Sequence, residues 1–308
     1  MQHLEELGPF FSGSRIGIML IHGLAGTPTE MKTVARRLNK FGFSVLCPLL
    51  SGHCSSEADL IATTWSDWTN SAEHAFERMA EHMDVIFVGG LSAGAVLSLY
   101  MAQQKPKNVR GLALYSTTLR WDGWSIPKLS FLLPLVLRLP YIGKRYRFEE
   151  VFPYGIMNER LRQRVHAQMQ SGDSSSAGLS STPGTSLREL WRLVDIVKKN
   201  LSRIFTPTLL VHARNDDIAS LRNAVYVRKH LSGPVKLLLL ENSYHMVTID
   251  QERDKVCDAT ALYFHNLLAK DEREELARHA RKDIYDILPE GCDGIECEGR
   301  ERLKFVAC

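Results

Sequence analysis

Three groups in this chain can do nucleophilic chemistry together: Ser92, an aspartate at position 216 or 217, and His245. A serine hydroxyl is a poor nucleophile at neutral pH. It needs a base within hydrogen-bond reach, and that base needs a carboxylate to orient it. Ser92 sits in Gly90-Leu91-Ser92-Ala93-Gly94, between the apolar, β-branched run Asp84-Val85-Ile86-Phe87-Val88-Gly89 and a segment of helical character, Val96 to Met101. A serine on so sharp a strand-to-helix turn is lifted out of the sheet. Glycines two residues to either side remove the Cβ atoms that would clash with neighbouring chain. Asp216 and Asp217 follow the apolar run Thr208 to Ala213, and His245 follows the run Val235 to Leu240. Nucleophile, acid and base therefore stand in that order, each after a strand, which chance supplies far less readily than one short motif. The chemistry they allow is acyl transfer through a covalent serine ester.

Such a reaction puts negative charge on a former carbonyl oxygen, which two backbone N–H groups should meet. Ala93 opens the helix after Ser92, where the helix dipole assists. The second donor should come from the loop His22-Gly23-Leu24-Ala25-Gly26, with Leu24 as the expected group. His22 precedes the nucleophile and reads as a structural support of that loop. His53 reads as structural too.

These residues need a frame, and the first half of the chain alternates strand and helix to build one. Ile16–Ile21, Phe43–Cys47, Asp84–Gly89 and Val109–Tyr115 read as strands, with helices predicted over 28–41 and 65–79. Thr27-Pro28-Thr29-Glu30 has the form of a capping box with proline at the first helical position. Alternation lapses for roughly ninety residues, well beyond an ordinary connection. It resumes at Thr208–Ala213, a helix over 220–230, Val235–Leu240 and a helix over 251–269. The expected architecture is a doubly wound, mostly parallel sheet with a mainly helical cap insertion. Its core comprises residues 1–116 and 206–270, its cap 117–205, and a charged C-terminal extension 271–308.

Within the cap, a helix is predicted over 157–169 and a mobile loop over 171–186. Phe131 to Leu137 reads as a buried lid segment, because its prolines prevent a long amphipathic helix, with a membrane-contacting lid as the alternative. Leu133 and Leu137 are its candidate substrate-binding residues. The basic group Arg138, Lys144, Arg145 and Arg147 reads as a solvated face, with an anionic surface or acidic carrier as the alternative.

Composition narrows the function classes. The chain has 308 residues, enough for one sizeable core and a subordinate lid. A formal charge of +3 and the absence of a basic, aromatic-interleaved stretch argue against nucleic acid. No apolar run is long enough for stable membrane insertion, and the acidic Met1–Glu6 lacks the layout of a secretory signal. Six cysteines, scattered at 47, 54, 257, 292, 297 and 308, fit reduced thiols and a cytoplasmic location. None has the spacing of a zinc site, and acyl transfer through a serine ester implies no metal and no organic cofactor.

His22-Gly23-Leu24, Ser51-Gly52-His53, Gly90-Leu91-Ser92-Ala93-Gly94, Ala213-Arg214-Asn215-Asp216 and Ser243-Tyr244-His245 together resemble the α/β-hydrolases of the carboxylesterase and monoacylglycerol-lipase group. The resemblance covers about residues 15 to 268, weakly across the insertion. It departs at Cys54, where the group often has glycine, and in the tail beyond Lys270. It implies Ser92 as nucleophile, Asp216 rather than Asp217 as orienting acid and His245 as base. The expected function is hydrolysis of carboxylic esters with short or medium acyl groups, on a small-molecule substrate. An acyl thioesterase acting on acyl-carrier or CoA thioesters is the rival enzyme, and a non-catalytic ligand receptor is the rival of another class. The C-terminal extension is read as a surface for homo-oligomer formation or as a cover for the core.

Overall fold

The apolar runs become the strands of one seven-stranded sheet, seen in a computed structural model that describes residues 2–137, 143, 145–170 and 178–281. We label the strands β1 (Phe10–Phe11), β2 (Ile16–Ile21), β3 (Ser44–Leu46), β4 (Val85–Leu91), β5 (Val109–Tyr115), β6 (Arg147–Glu149), β7 (Ser181–Pro183), β8 (Thr208–Ala213) and β9 (Val235–Leu240). The sheet order is β1-β3-β2-β4-β5-β8-β9, parallel throughout except for the antiparallel edge pair β1–β3. β2, β4 and β8 are buried along their whole length, as strands covered on both faces must be. β6 and β7 form a separate antiparallel pair within the insertion.

Helices cover both faces. Thr29–Lys40 and Arg253–Asn266 pack on one, with Phe87 of β4 stacked on Phe264 at 4.2 Å. Trp65–Ala80, Ala93–Gln104 and Gly184–Lys199 pack on the other. Ala93–Gln104 is buried on nearly every side, which explains why it is apolar all round rather than amphipathic.

The chain between β5 and β8 departs from expectation in three places. Gly184–Lys199 is a full helix whose stripe Leu187, Leu190, Val194 and Val197 is buried, where a loop was expected to run through 186. Residues 171–177 of that expected loop lie outside the described residues. Phe131–Leu137 is not a buried segment: single turns at Lys128–Leu132 and Leu133–Val136 leave Phe131 72% and Leu135 66% exposed. Its prolines do prevent a long helix, but the short turns that result leave Phe131, Leu132 and Leu135 exposed while Leu137 is buried. Of the basic group, Arg147 pairs with Glu57, while Arg138 and Lys144 lie outside the described residues.

The charged helix beyond the core runs Lys270–His279 and is anchored by buried Leu276 and by Arg110 on Glu272 at 2.8 Å. Residues 282–308 of the expected extension lie outside the described residues.

Candidate active site

Strand β4 ends at Leu91 and the next helix starts at Ala93, so Ser92 alone makes the turn. Its backbone takes φ +57° and ψ −113°, a left-handed conformation costly for any residue with a Cβ. The tightness shows at the flanking glycines. A Cβ on Gly94 would run into the Ile21 carbonyl of β2, and one on Gly90 into the Gly94 carbonyl. The Ser92 N–H donates to the Tyr115 carbonyl at 2.9 Å, tying the turn to β5.

His245 and Asp216 lie at the ends of β9 and β8 and meet there. The imidazole Nδ1 stands 2.9 and 3.0 Å from the two Asp216 carboxylate oxygens. Asp216 also accepts from the Ile218 and Ala219 N–H groups at 2.9 and 2.8 Å, which fixes its plane. Burial alone would raise the Asp216 carboxyl. His245, His212 and the backbone donors outweigh it and hold the group below the usual carboxylate range. For His245, burial works against the imidazolium. The carboxylates of Asp216, Asp217 and Glu150 overcome that and raise its pKa above the ordinary value.

Asp217 does something else. Its two oxygens accept from the Gly155 N–H at 3.0 Å and the His245 N–H at 3.2 Å, so it joins the insertion to the histidine loop. Desolvation pushes its own pKa up. The Ser116 hydroxyl donates to the His245 carbonyl at 2.7 Å and holds the same loop from the β5 side.

Ala93 follows Ser92 directly, and Leu24 lines the same cavity as Ser92. Ala93 is the first residue of its helix, where N–H groups have no intrahelical partner. Leu24 belongs to a loop braced from inside. Glu30, near the start of its helix, accepts the Gly23 N–H at 2.9 Å and also takes the Thr27 N–H. The Thr27 hydroxyl accepts from the Thr29 N–H at 3.1 Å. The capping arrangement predicted there is thus present in altered form, and its glutamate reaches beyond the cap into the loop. Burial pushes the Glu30 carboxyl up to about 7, against those backbone bonds. His22 supports the loop from below, with Nδ1 2.9 Å from the Gly23 carbonyl and Nε2 accepting from the Leu50 N–H. Fully buried, it is driven down to about 3 and stays neutral. His53 stacks edge-on to it at 4.9 Å and is likewise lowered, to about 4.

Ser92, His245 and Leu24 line one cavity of about 400 Å³. Its apolar wall comes from Trp121, Phe148, Ile156, Leu161, Val165 and Leu179. Leu133 and Leu137 are not among the lining residues. Leu137 is buried against Gly184 at the start of the helix 184–199, and Leu133 opens a surface turn. Composition marked the insertion as apolar, but which apolar side chains face the cavity depends on how its turns fold.

Two site residues gave no signal in the sequence. Thr118 donates its hydroxyl proton to the Ser116 carbonyl at 3.0 Å, and the Ser92 hydroxyl donates to Thr118 at 3.1 Å. Glu150, just after β6, lines the cavity half-buried, and desolvation pushes its carboxyl up to about 7. Neither lies in a motif, and only the tertiary fold brings them to Ser92 and His245. Among the described residues, no cluster of three or more His, Cys, Asp or Glu could hold a metal ion, and no helix is long and apolar enough to cross a membrane.

Residues 14–252 match the family model described as serine aminopeptidase, S33. Over 263 residues the chain is 27% identical to a thermostable monoacylglycerol lipase of a Bacillus species, covering 85% of this chain and 95% of that protein. Over 251 residues it is 24% identical to a carboxylesterase of Bacillus subtilis, covering 80% and 92% respectively. Among solved structures, one from a study of two metagenome-derived lipolytic enzymes superposes with a TM-score of 0.72 at 25% identity, covering 84% of this chain and 96% of that one. The Paleococcus ferrophilus monoacylglycerol lipase does so at 0.69 and 18% identity, with coverage of 88% and 98%, and speaks to the fold alone. With the sheet order, the turn at Ser92 and these likenesses in agreement, the chain belongs to the serine aminopeptidase (S33) family of α/β-hydrolases and is a serine hydrolase of the lipase and esterase type.

Proposed function

We propose that this protein hydrolyses carboxylic esters of short to medium acyl groups, with Ser92 as nucleophile, His245 as base and Asp216 as its orienter. One observation carries the reading: Asp216 grips Nδ1 of His245, leaving Nε2 as the nitrogen free to serve Ser92, and His245 and Ser92 line the same cavity. As the Ser92 Oγ–carbon bond forms, the serine proton passes to Nε2. The carbonyl electron pair moves onto oxygen, where the Leu24 and Ala93 N–H groups receive it. Collapse breaks the bond to the alcohol, which leaves with the proton from His245. A water, deprotonated by the same nitrogen, then attacks the acyl-serine, and the acid departs as Ser92 recovers its proton.

A cavity of about 400 Å³ lies at the small end of ligand sites, which favours modest acyl chains. Glu150 offers an acceptor for a hydroxyl on the alcohol portion. Relatives named monoacylglycerol lipase and carboxylesterase fit such a substrate. Hydrolysis of nitrophenyl esters by the wild type, abolished in Ser92→Ala at equal folded fraction, is the expected result. A wild type with no esterase activity and no reaction with a fluorophosphonate would instead fit a ligand receptor. Faster turnover of acyl-CoA than of any oxygen ester would move the assignment to a thioesterase.

A further inference from the structure

Trp121 separates the ester-binding cavity from a second, larger one of about 1100 Å³. The segment after β5, the helix 184–199 and the start of the helix 222–230 form its walls. Six cations line it: Arg120, Lys128, Arg188, Arg192, Lys198 and Arg222. Among the described lining residues the acids are Asp122 and Asp195, and Glu189 behind the wall pairs with both Arg188 and Arg192, which leaves an excess of three positive charges (6 − 3). The whole chain carries an excess of only three (38 − 35), so the rest of the molecule is close to balanced and its surplus sits here.

Little inside the cleft neutralises that surplus. Asp122 is engaged with the Ser220 N–H and the Asn223 amide, each at 2.9 Å. Arg192 and Arg188 share Glu189, at 2.7 and 3.7 Å, and Lys198 lies over the Tyr226 ring at 5.0 Å. Arg120, Lys128 and Arg222 have no ion pair among the described residues. Like charges gathered around one concave surface repel one another and are relieved by an anion. An excess of three calls for an anion of more than one charge. Arginine forks and lysines are the groups that bind phosphate oxygens.

The walls are also aromatic. Trp121, Trp124 and Trp191 line the cleft, three of the five tryptophans in the chain. The indole N–H of Trp121 is buried with no acceptor among the described residues. Phe131, 72% exposed, stands at the rim.

We propose that this cleft is a binding site for a phosphate ester carried on an apolar or aromatic body, with Arg120, Lys128 and Arg222 holding the phosphate and the tryptophans packing against the body. The site uses none of the residues assigned to ester cleavage, so it stands or falls apart from that reading. A soluble phosphorylated molecule and a phospholipid headgroup offer the same chemistry, and the test separates them.

Coenzyme A is titrated into the full-length protein, followed by tryptophan fluorescence and calorimetry, with inorganic pyrophosphate as competitor. In a second arm the protein is co-sedimented with phosphatidylglycerol or phosphatidylcholine vesicles. Both arms run at neutral pH and about 0.1 M salt, where long-range attraction is screened beyond roughly 10 Å. Saturable binding is expected in at least one arm, displaced by pyrophosphate in the first or selective for phosphatidylglycerol in the second. The triple variant Arg120→Gln/Lys128→Gln/Arg222→Gln should weaken it about tenfold or more, the loss expected from removing charge-assisted contacts. A triple variant of equal charge change elsewhere, Arg36→Gln/Lys107→Gln/Lys270→Gln, should leave it within about twofold. If the first triple does not fold, Lys128→Gln alone, at an exposed position, should weaken binding about threefold. Absence of binding in both arms, or equal losses in the two triple variants, would overturn the site.

Discussion

The carboxylate of Glu30 reaches back seven residues to the N–H of Gly23, 2.9 Å away, and so braces the loop that presents Leu24 beside Ser92. The contact leaves no space to spare: a Cβ on Gly26 would collide with the Glu30 carboxyl group. Glu30 also takes the Thr27 N–H, so one side chain holds both ends of the turn. Glu30 thus holds the loop of the proposed oxyanion donor from a position that also lines the cavity.

Glu30→Ala should therefore lower kcat with KM little changed. Loss of one oxyanion donor outright costs about 10² to 10³ in rate, and a loosened donor should cost about 10 to 100. Glu30→Gln keeps one acceptor and should recover part of the loss, while Gly26→Ala should mimic Glu30→Ala. Steady-state kinetics on a short-chain nitrophenyl ester distinguishes this from a merely structural role, which would lower the folded fraction and leave kcat per folded molecule intact.

Asp216 and Asp217 are neighbours with different duties, and substitution should separate them. Asp216→Asn removes the group that sets the tautomer of His245, a loss of roughly 10⁴ in the serine-protease precedent. Asp217→Asn weakens two backbone contacts to Gly155 and His245, so about tenfold in rate and a lower Tm are expected. Activity measured at equal folded fraction checks the order. A larger loss in Asp217→Asn would reassign the orienting acid.

The pH dependence follows from the charges around His245. The base must be neutral to act, so kcat/KM should rise with pH through a pKa above the ordinary histidine value. Glu150→Gln removes one of the carboxylates that raise it. The acid limb should then move to lower pH, and activity on the acid side should increase relative to the plateau. A limb that stays in place would mean that Glu150 does not act on His245.

Much of this site was legible before any coordinates. Long apolar runs gave β2, β4, β5, β8 and β9 because strands buried on both faces leave that mark, and Ser92, Asp216 and His245 follow three of them. What escaped notice depends on packing between distant segments. Thr118 and Glu150 reach the site only through the path of the chain after β5, and no local pattern records that path. The helix Gly184–Lys199 was a different kind of miss. Its stripe of Leu187, Leu190, Val194 and Val197 was present in the sequence, but the serine- and glycine-rich stretch before it drew the reading towards a loop. Leu133 and Leu137 show the limit of composition, which marks a segment as apolar without saying which way it turns.

Acyl-chain preference should be set by the helix Glu159–Gln170, which places Leu161 and Val165 in the cavity wall. Leu161→Trp or Val165→Trp should lower kcat/KM for octanoyl relative to acetyl esters by about tenfold, since a few methylenes in a pocket are worth 1 to 3 kcal/mol each. Leu133→Trp, outside the lining, should leave the ratio unchanged. Hydrolysis of acetyl, butyryl, hexanoyl and octanoyl esters by each variant decides it. A shift in Leu133→Trp alone would place the acyl pocket elsewhere.

The central claim is that Ser92 forms the covalent bond to substrate, and the most direct measurement is to trap that bond. Wild-type protein is treated with a small fluorophosphonate, digested and examined by peptide mass spectrometry. A single adduct is expected on the peptide carrying Gly90-Leu91-Ser92-Ala93-Gly94, located at Ser92, with no labelling of Ser92→Ala. An adduct on another serine, together with esterase activity retained in Ser92→Ala, would contradict it.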